Sequence, residues 1–177
     1  MIEHDLSEGD IMRKLLIVVS FIASFLFIIG CSGQVEENGD FLLYNTGFPF
    51  KANETYFIVT KTEWTGDLPV EIDSIELIKN KEETITYKED GIKYEVYGAD
   101  PLKTSGVWPE SDIGDLKSIE NLEIQKEGKI VFKLTLGEDV KEDSNRRVKI
   151  NYKIDGVGKE KVVDWVTLQE LSTELKN

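Results

Sequence analysis

Residues Glu54–Trp64 read ETYFIVTKTEW, and their spacing decides the fold. Tyr56, Ile58, Thr60, Thr62 and Trp64 fall on one side of an extended chain. Phe57, Val59, Lys61 and Glu63 fall on the other. Successive side chains of a strand point to opposite faces, so a period of two that is mostly apolar on one side marks a half-buried β-strand. The alternation returns at Ile130, Phe132, Leu134 and Leu136, and again at Val148, Ile150, Tyr152 and Ile154. Val70-Glu71-Ile72 and Ile75-Glu76-Leu77 are out of phase across Asp73-Ser74, which predicts a bulge there. Trp64 and Trp165 lie in such runs and are expected in the core.

Turn chemistry punctuates these runs. Asp90-Gly91 separates TITYK from IKYEVY, Glu127-Gly128 separates NLEIQ from KIVFKL, and Asp155-Gly156 separates KINYKI from a strand around residues 162–168. Glycine accepts positive φ, so an acidic residue and Gly between alternating runs predicts a hairpin at each of the three. Many short strands at this spacing, without a long helical pattern, indicate an all-β antiparallel sandwich or barrel. The best helical stretch is a turn or two within Ser111–Ile119, with Ser111 as its N-cap. Residues 168–175 are expected to curl. The stretch Tyr56–Leu77, with Asp67-Leu68-Pro69-Val70 as a strand connection, is similar to the immunoglobulin-like domains of bacterial surface lipoproteins. That resemblance implies an immunoglobulin-like β-sandwich over residues 41–177.

The N-terminus has a different character. Leu15–Ile29 carries no charge, Arg13 and Lys14 precede it, and Gly30-Cys31 follow it. This is the layout of a secretory signal peptide. The run is shorter than the roughly 20 apolar residues a spanning helix requires. Ile28-Ile29-Gly30-Cys31 resembles the lipobox of bacterial lipoproteins. The resemblance implies cleavage between Gly30 and Cys31 and a diacylglycerol on the Cys31 thiol, so that membrane lipid is the first partner. One acyl chain holds a protein only marginally, whereas two anchor it stably. The expected organisation is a signal peptide over residues 1–30, a lipidated Cys and tether over 31–40, and a β domain over 41–177. Residues 1–11 carry Glu3, Asp5, Glu8 and Asp10 and no basic residue, contrary to a positive n-region, so Met12 is the expected start.

Composition narrows the function further. The chain has 34 Asp+Glu against 21 Lys+Arg, a formal net charge of −13, one His and one Cys. Such acidity excludes a nucleic-acid partner, which would need basic patches. A single Cys excludes a disulfide framework and multi-cysteine zinc sites. The only His, His4, lies in the leader and leaves with it, and His-dependent nucleophilic catalysis and His-ligated metals leave too. The expected protein is a non-catalytic binding or structural module at the extracytoplasmic face of a cell membrane, without a cofactor. The alternatives are an envelope hydrolase built on paired carboxylates and a weak divalent-cation binder.

The candidate partner-binding segment is Gly98–Gly114 (GADPLKTSGVWPESDIG), long for a structureless loop. Trp108 is its candidate anchor, with Asp112 and Asp115 beside it, for a protein or envelope-polymer partner. The competing expectation is that Trp108 caps the open end of the core. Acidic clusters at Glu110/Asp112/Asp115 and Glu138/Asp139/Glu142/Asp143 lack the spacing of a calcium loop and read as solvated faces. Gly156-Val157-Gly158-Lys159 resembles the end of a P-loop, but Lys153 and Glu160 occupy positions where that motif needs Gly and Ser or Thr.

Overall fold

A computed structural model describes residues 39–80, 82–98 and 103–174. Gly30, Cys31 and most of the expected tether lie outside the described residues. The strands are β1 (Phe41–Leu43), β2 (Thr55–Trp64), β3 (Val70–Lys79), β4 (Glu83–Thr84), β5 (Ile92–Gly98), β6 (Gly106–Trp108), β7 (Lys117–Ser118), β8 (Leu122–Ile124), β9 (Glu127–Leu136), β10 (Arg147–Ile154) and β11 (Val157–Val163). Two single-turn helices, α1 (Tyr87–Asp90) and α2 (Val166–Gln169), and one 3₁₀ turn (Glu110–Asp112) complete the described chain.

All strand pairs are antiparallel and fall into two sheets. The first runs β1-β2-β9-β5-β7, with β6 also on β2; the second runs β11-β10-β3-β4, with β8 also on β3. Their facing sides enclose one apolar core. Ile58, Trp64, Ile130, Phe132 and Leu134 come from the first sheet, and Ile72, Leu77, Val148, Ile150 and Tyr152 from the second. The all-β sandwich expected from the alternation is therefore what the chain forms. Trp64 and Trp165 are core residues as expected, 2% and 0% exposed. The bulge expected at Asp73-Ser74 is present: Ser74 pairs with Asn151 and Ile72 with Tyr152, leaving Asp73 as the extra residue.

One of the three expected hairpins forms. Asp155 and Gly156 take φ of 50° and 76° and join β10 to β11, the two positive-φ positions of a tight hairpin turn. Asp90-Gly91 instead ends α1. The Thr86 hydroxyl accepts from the Glu89 N–H at 3.3 Å, Gly91 closes the turn at φ 67°, and β4 and β5 belong to different sheets. Thr86-x-x-Glu89 followed by Gly91 is a helix start and stop, which overrides the strand expected at TITYK. Glu127-Gly128 lies inside β9, while β8 pairs with β3 in the opposite sheet. A Cβ on Gly128 would sit 3.0 Å from Ile124 Cγ1, so the glycine serves a close approach here and not a turn. The helix expected within Ser111–Ile119 is only the 3₁₀ turn at Glu110–Asp112, capped by Pro109 and not by Ser111, and β7 occupies Lys117–Ser118. The expected curl near the C-terminus begins earlier, as α2.

That C-terminal segment is held by a buried cation. Arg146 is 4% exposed, and its Nη1 donates to the carbonyls of Leu171 at 3.0 Å and Leu168 at 3.4 Å. Burial pulls the guanidinium pKa down, while the charges of Asp143 and Asp90 oppose that pull. The Thr173 N–H donates to the Val140 carbonyl, and the Val140 N–H to the Thr173 hydroxyl. Arg146→Ala strips two carbonyls of their donor and empties a buried site. It is expected to reduce the unfolding free energy by about 2–4 kcal/mol, read from urea denaturation.

Candidate functional site

The apolar part of the outward face of β2 explains the unusual segment. Phe57 and Val59 point away from the central core, yet are 2% and 0% exposed. With Val131 of β9 they form a second, smaller core roofed by Ile113 and bordered by Tyr97, Trp108 and Leu116. The chain gets there from β6, which pairs with the outer edge of β2. It leaves through β7, which pairs with β5 on the far side of β9. Residues 109–116 are thus a strap across the outer face of the first sheet, and Ile113 is its buried pin.

Trp108 belongs to this strap. It stands opposite Phe57 in the β6–β2 ladder and is half-buried. Its indole lies over Gly106, where a Cβ would come within 3.2 Å of Nε1. Nε1–H donates to the Thr104 carbonyl at 3.1 Å, and Lys103 Nζ sits 4.8 Å from the ring centroid. The Asp112 carboxylate is 3.6 Å from the same ammonium. The structure thus brings Trp108 and Asp112 together through Lys103, while Asp115 is exposed further along the strap. Trp108 caps the outer face of one sheet, not the open end between the sheets. Among the described residues no group of three or more His, Cys, Asp or Glu is placed to hold a metal ion.

Beside β6 a polar concavity forms where residues of the first sheet meet β8 of the second. A cleft of about 440 Å³ is lined by Lys61, Thr104, Ser105, Leu122, Glu123, Glu127, Gly128 and Lys129. Lys61 is its hub, donating to Glu63 and Glu127 at 2.8 Å each. The Tyr44 hydroxyl donates to Glu63 at 2.6 Å, and Lys61 Nζ lies 5.0 Å from the Tyr44 ring centroid. The Lys61 backbone N–H donates to Ser105 Oγ at 3.1 Å. Hydrogen bonds to Glu127 and Glu63 raise the Lys61 pKa, and those from Lys61 and then Tyr44 lower that of Glu63. On the neighbouring part of the face Glu95 is lowered by the Tyr97 hydroxyl and by Lys133.

The cleft draws on four separated stretches, and the sequence reading did not find it. Its one local signal is the change along β2 from Phe57 and Val59 to Lys61 and Glu63 on a single face. The chain matches no family model and no curated protein.

Two tests follow from the strap and its flanking charges. Ile113→Ala should destabilise the protein by about 2–4 kcal/mol as a core truncation, and Trp108→Ala measurably so. Asp115→Ala should stay within about 0.5 kcal/mol of wild type, all three read by denaturant titration. Glu63 and Glu95 have folded pKa values below their unfolded ones, so the stability they contribute is complete above the unfolded value. It is lost as the pH falls through the folded one. Urea midpoints should therefore hold steady down to about pH 5 and drop below the ordinary Glu value of about 4.3. The drop should be shallower in the Glu63→Gln/Glu95→Gln variant.

Proposed function

We propose that the protein is a membrane-anchored extracytoplasmic lipoprotein whose immunoglobulin-like β-sandwich acts as a non-catalytic binding or structural module of a bacterial cell envelope. The observation that carries this reading is the place of the chain's only cysteine. Cys31 stands at the end of the uncharged Leu15–Ile29 run, behind Gly30, and shortly before the first strand at Phe41. A diacylated Cys31 would hold the β domain at the membrane surface. No helix among the described residues is long and apolar enough to cross a membrane.

The electrostatics of the domain favour binding over hydrolysis. A carboxyl that donates a proton at neutral pH needs a raised pKa. Glu63, Asp90 and Glu95 are instead lowered, Asp90 because Lys79 and the Thr86 N–H outweigh the effect of its burial. They act as fixed acceptors that order lysines. The polar cleft next to the strap supplies a concave surface on a rigid scaffold, the usual seat of recognition.

Mass spectrometry of the mature protein tests the anchor. The N-terminal peptide is expected to begin at Cys31 and to carry a diacylglyceryl group. In Cys31→Ser the leader is expected to remain attached, giving a larger species. A mature N-terminus elsewhere, or an unmodified Cys31, would overturn the reading.

A further inference from the structure

We infer that the cleft around Lys61 is a binding site for a neutral, hydroxyl-rich glycan segment, an inference that deepens the envelope-module reading and rests on it for the ligand's source. The chemistry of the walls selects the class. Glu127 holds Lys61 at 2.8 Å, and among the lining residues Lys61 and Lys129 balance Glu123 and Glu127, so the cleft carries no net charge. A charged ligand meets groups of both signs and gains no net attraction from the walls. A neutral hydroxyl can bind without breaking the Lys61–Glu127 pair, because a carboxylate offers about four acceptor sites and the lysine uses only some of them.

The donors and acceptors are complementary to the same class. Ser105 Oγ accepts the Lys61 N–H and keeps its own O–H to donate, and Thr104 lines the wall next to it. Glu123 of β8 adds an exposed carboxylate, and Leu122 adds an apolar surface for the C–H face of a sugar ring. Hydrogen bonds from neutral hydroxyls to ionised groups are charge-assisted and stronger than neutral pairs. Three of these groups are also held in place before the ligand arrives: Lys61 by Glu63 and Glu127, Glu127 by Lys61, and Ser105 by the β2 backbone. Preorganisation of this kind reduces the ordering cost of binding. The cleft volume, about 440 Å³, falls in the range of small-molecule sites.

The test uses the full lipidated chain in detergent, titrated calorimetrically with the N-acetylglucosamine tetramer and with maltotetraose. Inorganic phosphate and spermine serve as charged comparators. Saturable binding of at least one tetrasaccharide is expected, weakened tenfold or more by Lys61→Met and by Glu127→Gln. Ser105→Ala, a change at an exposed hydroxyl that leaves the core untouched, should weaken it about threefold and keeps the test valid if the hub variants fail to fold. No saturable binding of either sugar, unchanged affinity in the folded variants, or a preference for phosphate or spermine at this cleft would each overturn the inference. Cys31→Ser should bind the sugar as wild type does. Loss of lipidation and loss of glycan binding are therefore read by separate measurements, and either can fail without the other.

Discussion

The pairing of β2 with β9 places the heaviest demand on the rest of the chain. The two strands run in register from Thr55 opposite Thr135 to Glu63 opposite Glu127. Over the first part of that ladder both of its faces are apolar. Ile58 and Phe132 face the other sheet, while Phe57, Val59 and Val131 face outward. A large apolar side chain gains about 1.5–3 kcal/mol from full burial. An ordinary sandwich covers only one face of each sheet, so the outward trio creates the need for a further layer. The strap from β6 to β7 answers it with Ile113, Leu116 and Trp108. Fixing each strap residue costs about 1–2 kcal/mol of backbone entropy. The short ladders at both ends, Trp108 opposite Phe57 and Lys117 opposite Gly98, confine the chain between them and help offset that cost. Where the outward face turns to Lys61 and Glu63 nothing apolar needs a cover, and the surface opens into the polar cleft.

The alternation in the sequence was enough to identify the long strands, because burial on one face of a sheet imposes a period of two that few other arrangements produce. It also identified the bulge at Asp73, since a single extra residue inverts the phase for everything after it. The connections were harder. A left-handed residue after an acid is needed equally by a tight hairpin at Asp155-Gly156 and by a helix end at Asp90-Gly91. What separates the two is the pair Thr86 and Glu89, a local signal that TITYK obscured because its residues favour strands. Gly128 carries no local signal at all. Its lack of a side chain answers to Ile124, which reaches it after the chain has passed from one sheet to the other.

The functional surface divides the same way. Trp108, Asp112 and Asp115 stood out because Gly98–Gly114 has the composition of a long loop. The reason for that composition was visible on β2: two large apolar residues on the supposedly wet side of a strand. Taken alone, Phe57 and Val59 are compatible with many covers, and nothing in the linear chain says that residues 109–116 are the one. Lys103 is likewise unremarkable until folding sets its ammonium between the Trp108 ring and the Asp112 carboxylate. The cleft unites Lys61, Ser105, Glu123 and Glu127, which only the crossing between the two sheets brings together, so no spacing rule reaches it.

The charge balance links the sandwich to its proposed setting. The net charge of −13 coexists with lysines that are already engaged. Lys61, Lys79, Lys133, Lys149 and Lys153 are each raised by a carboxylate partner, led respectively by Glu127, Asp90, Glu95, Glu160 and Asp73. These cations are spent on internal order, and the surplus acid faces solvent. On the anchored reading such a domain is repelled by an anionic leaflet at distances within a Debye length, about 8 Å at physiological salt. On that reading acyl chains on Cys31 would hold the N-terminus down while the field pushed the acidic body outward. The acidity that argues against a nucleic-acid partner in the sequence would, on the same reading, also keep the domain standing off an anionic lipid surface.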